Sequence, residues 1–304
     1  MYCWGDDMSN WTNAQAYSFK GGRAAKAQRK QAAAAAKRRG GRTYERRSAP
    51  SQIVLPKGRT ITSESTTPIV VAVDVTGSMA TWPAEIFDRL PLLYQTLSQY
   101  RPDLEVSFVA IGDATCDRFP LQACDFESGV GLEDQLKALY PEGGGGGQTR
   151  ESYELFAYYL LHHYRAPNAE RPYLILYGDE GFYDRVNKAQ VKHFVGDTIP
   201  RALNSKRLWS QVVEAWNLFH LRVPYGVGPQ NEEIHAQWAD AIGEERIVML
   251  DDPERAVDMA LGLIARSWGE FEDFETNMLA RQSEGKVAVL RDRVDEAFSA
   301  GDWR

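Results

Sequence analysis

Ile69-Val-Val-Ala-Val-Asp74-Val-Thr76-Gly-Ser78-Met79 is the stretch on which the fold turns. Five apolar residues in a row, four of them β-branched, suit a strand covered on both faces, as in a parallel sheet flanked by helices. The run stops at an aspartate followed by two hydroxyl residues. Alternate residues of an extended chain share a direction, so Asp74, Thr76 and Ser78 can bring three oxygens to one place.

Periodic patterns continue downstream. Ile86, Leu90, Leu93 and Leu97 recur at three and four residues, which predicts a helix with a kink at Pro91. Residues 106–111 read as a second strand, 119–126 as a short edge strand, 132–140 as a short helix and 151–161 as a longer one. Further strands are expected at 173–177, 218–223 and 246–250, the last followed by Asp252 as N-cap and Pro253 at the first helical position. Strands alternating with helices predict an α/β domain over residues 66–268 with a doubly wound, mostly parallel central sheet. Beyond it, 269–304 forms a C-terminal helical extension. Its apolar spacing at Val287, Leu290, Val294 and Phe298 allows it to pack on the domain or to face a partner.

Upstream, residues 1–65 read as a basic, low-complexity arm. Thirteen Lys or Arg against three acids give residues 1–59 a charge of +10, which leaves −17 on the remainder of a 304-residue chain of net charge −7. The segment from Lys20 to Arg47 lacks an apolar face, so it is expected to be solvated and to order on contact. Arg29, Lys30, Lys37, Arg38 and Arg39 are its candidates for contact with nucleic acid or with an acidic protein surface, the domain's own acidic face included. A basic tail with no base-reading module does not choose between these. The aromatic residues Tyr2, Trp4, Trp11, Tyr17 and Phe19 precede it without a period that would bury them, and are expected to pack on the domain or dock elsewhere.

No run of about eighteen apolar residues and no charged-then-apolar N-terminus is present, so no membrane contact is expected. Cys3, Cys116 and Cys124 show no metal spacing and fit a reducing compartment, with Cys116 and Cys124 expected as buried apolar side chains. These features place the chain in the cytoplasm, or in a virion or other large assembly.

Carboxylate and hydroxyl oxygens suit a hard divalent cation such as magnesium, which usually keeps several waters. Hydroxyl ligands leave the ion with residual positive charge, so a carboxylate from a partner can complete its shell. Asp74-x-Thr76-x-Ser78 after an apolar strand resembles the metal-ion-dependent adhesion site of von Willebrand factor A domains, whose first motif is Asp-x-Ser-x-Ser. Thr76 departs from it by a methyl group.

The resemblance covers about residues 66–268 and implies two more loops. One supplies a threonine. Gly143-Gly-Gly-Gly-Gly147-Gln148-Thr149 falls at its place, with Thr149 the candidate ligand and Gln148 its rival. The other supplies an aspartate after the fourth strand, and Gly178-Asp179-Glu180-Gly181 falls there, so Asp179 is carried over as a ligand acting through water. Beside these, Gly145, Gln148 and Glu180 are candidates to meet the partner. The resemblance further implies a non-enzymatic interaction module that takes Mg2+ or another divalent cation such as Mn2+, binds a protein with an exposed Asp or Glu, and can work with an AAA+ ATPase.

Other readings use the same residues. Asp74-Val-Thr-Gly-Ser also resembles the first motif of haloacid-dehalogenase-like phosphoryl transferases, with Asp74 as nucleophile and Asp179 with Asp184 as an acidic motif. A catalytic lysine has no clear place, and the glycine-rich loop goes unexplained there. Gln148 stands where a phosphate-binding loop needs lysine. Asp113 and Asp117, at the crevice edge, are expected in a solvated loop or as groups that tune the metal's surroundings, and a metal-free scaffold with a nucleic-acid-binding arm is the remaining alternative. Neither His162 nor His163 has a zinc-type partner four residues on, and His193, His220 and His235 stand alone.

Overall fold

The structure, a computed structural model, describes residues 49–79, 82–140, 149–280 and 282–299. Gly145, Gln148, Arg29, Lys30, Lys37, Arg38 and Arg39 therefore lie outside the described residues, as does the aromatic N-terminal segment.

A mostly parallel, six-stranded sheet forms the centre of a mixed α/β fold. Its strands are β1 (Ile69–Asp74), β2 (Val106–Ile111), β3 (Leu121–Ala123), β4 (Tyr173–Gly178), β5 (Asn217–Arg222) and β6 (Ile247–Met249), in the order β6-β5-β4-β1-β2-β3. Only the β2–β3 pair of this sheet is antiparallel, and the three-residue β3 lies at its edge. The order runs one way from β1 through β2 and the other way from β4 through β5, so it reverses between β1 and β4.

Every position of β1 is buried, which is why the sequence shows an unbroken apolar run there instead of alternation. Ile69, Val71 and Val73 enter one core with α1 (Trp82–Leu97), α6 (Ala256–Ser267), α7 (Phe271–Leu279) and α8 (Glu284–Ser299). That core also takes Leu132 and Leu136 of the short helix α2 (Gly131–Ala138). Val70 and Ala72 enter a second core with α3 (Tyr153–His163), α4 (Ser205–Ala215) and α5 (Pro229–Ile242).

Local chemistry sets several boundaries. Asp252 Oδ1 accepts from Glu254 N at 2.9 Å, capping a single 3-10 turn, Pro253–Arg255, that feeds α6. Asn204 Oδ1 caps α4 in the same way through Arg207 N at 2.8 Å.

Segments at both ends of the domain pack against it. Residues 49–65, placed with the arm, lie against the domain: Val54 and Ile61 are buried, Ser51 N donates to Ala138 O at 2.9 Å, and Ile61–Thr62 pairs in parallel with Tyr164–Arg165. At the other end, Phe271, Phe274, Met278, Val287, Leu290 and Val294 share the first core. The C-terminal helices are thus part of that core. Gly262 of α6 permits their approach, since a Cβ there would stand 3.1 Å from Val294 Cγ2. Among the described residues, no helix is long and apolar enough to cross a membrane.

Candidate functional site

Ligands of open parallel sheets bind beyond the carboxyl ends of the strands, where strand order reverses. Asp74, the last residue of β1, is fully buried there. Its Oδ1 accepts from Thr76 N at 2.8 Å and from Thr76 Oγ1 at 2.6 Å. Thr76 Oγ1 lies 3.2 Å from Ser78 Oγ, and Ser78 Oγ donates to Asp179 Oδ1 at 3.1 Å. Four of the residues singled out from sequence therefore form one connected set, across the gap between β1 and the loop after β4.

Thr149 comes to the same end of the sheet through its backbone: its carbonyl accepts from Gly181 N at 3.0 Å. Arg150–Glu151 then pairs in parallel with Gly181–Phe182. Glu180, expected to face a partner, is buried.

Sequence reasoning missed the group that holds Asp74 from the far side. Tyr153, the first residue of α3, donates its hydroxyl to Asp74 Oδ2 at 2.5 Å. Its ring packs edge-on against Trp238, with centroids 5.4 Å apart. The hydroxyl passes over Gly178, where an added Cβ would fall 2.0 Å from it, so glycine is required by close approach. Helix α5 fixes the next residues: Trp238 Nε1 donates to Glu180 O at 2.9 Å, and the Gln237 amide bonds Phe182 N at 3.1 Å and Phe182 O at 2.9 Å.

Three further carboxyl groups crowd this end. Glu151, Glu154 and Glu180 are buried; Glu151 and Glu180 bond each other side chain to side chain, while Glu154 Oε1 lacks a hydrogen-bond partner. Burial, followed by the charges of Asp74 and Glu180, pushes the Glu151 pKa up to about 11. Burial and then Asp74 raise Asp179 to about 8, and burial raises Glu180 to about 7. Asp74 is itself raised, chiefly by desolvation against the opposing bonds from Thr76 and Tyr153. Neither the Tyr153 contact nor the burial of the glutamates left a local signal in the sequence.

Asp113 corrects another expectation. It is buried rather than solvated, accepting from Thr115 N at 2.9 Å, from Thr115 Oγ1 at 2.6 Å and from the Tyr183 hydroxyl at 3.1 Å. Asp117 Oδ2 accepts from Asp113 N at 2.8 Å. Cys116, expected inside, is exposed, while Cys124 is buried. The Cys116 thiol is pushed up to about 12 by burial and the adjacent Asp117 and Asp113, so it stays protonated.

Donors of this type fit a hard cation. Among the described residues, no three His, Cys, Asp or Glu side chains are grouped as a metal cage, so an ion held here rests on the hydroxyls of Thr76 and Ser78 together with the carboxylates. Mutual repulsion of the carboxylates crowded here is a feature that a bound cation relieves.

No family model matches the chain, and no curated protein does. Among solved structures, the pilus adhesin SpaC of Lactobacillus rhamnosus GG in its open conformation is similar at a TM-score of 0.47 and 11% identity, over 72% of this chain and 31% of the adhesin. A second form of that adhesin gives 0.44 and 12%, over 72% and 32%. Proximal thread matrix protein 1 of the mussel byssus gives 0.46 and 9%, over 68% of this chain and 48% of that one. This chain spans about a third of the adhesin and about half of the mussel protein.

Proposed function

We propose that this chain is a von Willebrand factor A-type module, built on a doubly wound sheet, that binds an exposed Asp or Glu of a partner protein through a magnesium ion. One observation carries the reading: Asp74, Thr76, Ser78 and Asp179 are joined side chain to side chain where the strand order reverses. The strand order and the single antiparallel edge pair support the doubly wound arrangement.

Asp74, Thr76, Ser78 and Asp179 would hold the ion, with Thr149 the further candidate beside Gly181. A bound magnesium, or manganese in its place, supplies a Lewis-acidic position that a partner carboxylate can fill. The chain's own groups prepare that position. Tyr153 and Thr76 fix the two oxygens of Asp74, Gly178 leaves room for the Tyr153 hydroxyl, and Gln237 and Trp238 anchor the loop that carries Asp179. An AAA+ ATPase or a larger assembly, the partners that the resemblance implies, would be recognised through such an acidic residue.

The same geometry weighs against phosphoryl transfer. Asp184, the second acid of that reading, is largely exposed and faces Arg150 at 3.9 Å.

Titration of the full chain with magnesium chloride in a calorimeter tests the proposal. Saturable binding is expected, abolished by Asp74→Asn and weakened about tenfold by Ser78→Ala, which corresponds to about 1.4 kcal/mol. Equal heats for all three proteins would show that these residues hold no ion.

A further inference from the structure

The segment that leads from the basic N-terminal arm into the domain is held at the end of α3 by one histidine. His163, the last residue of α3, places Nδ1 2.9 Å from Arg59 O and Nε2 2.7 Å from Asp197 Oδ2. A carbonyl oxygen can only accept, so Nδ1 carries a proton. Asp197 Oδ2 also accepts from the Tyr158 hydroxyl at 2.7 Å. Against the opposing effect of burial, the bonds from His163 and Tyr158 hold the Asp197 carboxyl below its usual value, so it is ionised and Nε2 must donate as well. Two donating ring nitrogens belong to the imidazolium form alone.

Three parts of the chain meet on that ring. On the first, Gly58 N donates to Val195 O at 2.9 Å, and Ile61–Thr62 pairs with Tyr164–Arg165. The Arg59 guanidinium is turned away from the ring, to Ala123 O at 2.7 Å and Asp125 Oδ1 at 2.6 Å. On the second, Asp197 follows Gly196, whose φ of 99° ends the helical turn Val191–Val195. Lys57, exposed, passes beside Gly196. On the third, α3 itself, the Tyr159 ring stacks on His163 with centroids 4.9 Å apart, and its hydroxyl adds a longer bond of 3.3 Å to Arg59 O. Burial, and then the charge of His163, lowers the pKa of His162, while Arg165 is bonded to the carbonyls of Tyr164 and His162.

We propose that His163 is a proton-operated latch: doubly protonated, its ring clamps residues 57–62 to α3 and Asp197, and loss of one proton loosens the root of the N-terminal arm. A neutral ring has one N–H for two acceptors. Its bond to a carboxylate is stronger than its bond to a carbonyl, so the remaining proton stays on Nε2 and a lone pair of Nδ1 faces Arg59 O. The bound proton therefore favours the clamped form. Its contribution is complete on the acid side of the range in which histidine exchanges its proton, about pH 5 to 8, and is lost as pH rises through it. The latch is separate from the cation reading and stands or falls without it.

Hydrogen exchange of the full chain, read by mass spectrometry at about pH 5.5 and about pH 8.5 and corrected for the intrinsic effect of pH on exchange, tests the latch. Peptides covering 57–62 are expected to lose about tenfold in protection at the higher pH, with no matching loss in peptides of β1. His163→Phe keeps a ring to stack on Tyr159 and removes both donors; its protection over 57–62 should be low and equal at the two pH values. Equal protection of 57–62 in the original chain at both pH values overturns the proposal, as does a tenfold loss that persists in His163→Phe. Should that variant fail to fold, nitrogen NMR of the original chain decides. Two protonated ring nitrogens at His163 on the acid side, titrating together with the Gly58 and Arg59 amides, support the latch, and a single protonated nitrogen there overturns it.

Discussion

Ser78 Oγ lies 3.1 Å from Asp179 Oδ1, a contact between residues 101 positions apart that joins the turn after β1 to the turn after β4. Removing the hydroxyl by Ser78→Ala is expected to cost about 1 kcal/mol, since the bond is to a carboxylate but only part-buried. Urea denaturation gives the value. A loss above about 3 kcal/mol would mean that Ser78 does more than this one contact.

Gly178 and Tyr153 form a sterically coupled pair. Gly178→Ala places a methyl group 2.0 Å from the Tyr153 hydroxyl and should destabilise the fold by about 1–3 kcal/mol while breaking the bond to Asp74. Tyr153→Phe removes the nearest of the clashing atoms, so the double variant should be more stable than the sum of the two single losses. Strict additivity in a double-mutant cycle would contradict the packing described.

These two pairs mark where sequence reading stops. Strand β1 is readable because its first five positions, buried on both faces of the sheet, form an unbroken apolar run, and Asp74-x-Thr76-x-Ser78 is readable because three ligand-type residues are local. Asp179 followed from its place after β4. The Tyr153 contact with Asp74 spans 79 positions and depends on the direction of α3, which no local pattern encodes. Asp113 shows the same limit: an aspartate after a strand looks alike whether its carboxylate is solvated or, as here, satisfied by Thr115 and Tyr183. Cys116 was misjudged because small thiols favour interiors on average, a tendency overridden by its position in the exposed turn after Asp113.

Leu290 of α8 is buried in the core shared with α1 and α6. Leu290→Ala is expected to lower stability by about 2–5 kcal/mol, within one cooperative transition. A separate early transition, with the remaining melt unchanged, would show that the C-terminal helices form an independent unit.

His220 gives a pH signature. Its ring is fully buried against Trp238, with centroids 4.3 Å apart, and Nδ1 lies 3.2 Å from Leu176 O. Burial pushes its pKa from 6.5 down to about 3. Because the folded value lies below the unfolded one, the neutral ring's contribution is complete above about pH 6.5 and is lost as pH falls toward about 3. Between those limits the unfolded chain takes up the proton, at about 1.4 kcal/mol per pH unit. Denaturation at pH 7, 5.5 and 4 should show a shallower decline for His220→Phe than for the original chain. Equal slopes would mean that His220 is protonated in the fold.

Crystals of the full chain soaked in manganese chloride, with diffraction collected where manganese scatters anomalously, locate the ion directly. A peak bounded by Asp74, Thr76, Ser78 and Asp179, absent from Asp74→Asn crystals, is expected. Well-ordered density for these four side chains with no anomalous peak among them would contradict the metal-mediated reading.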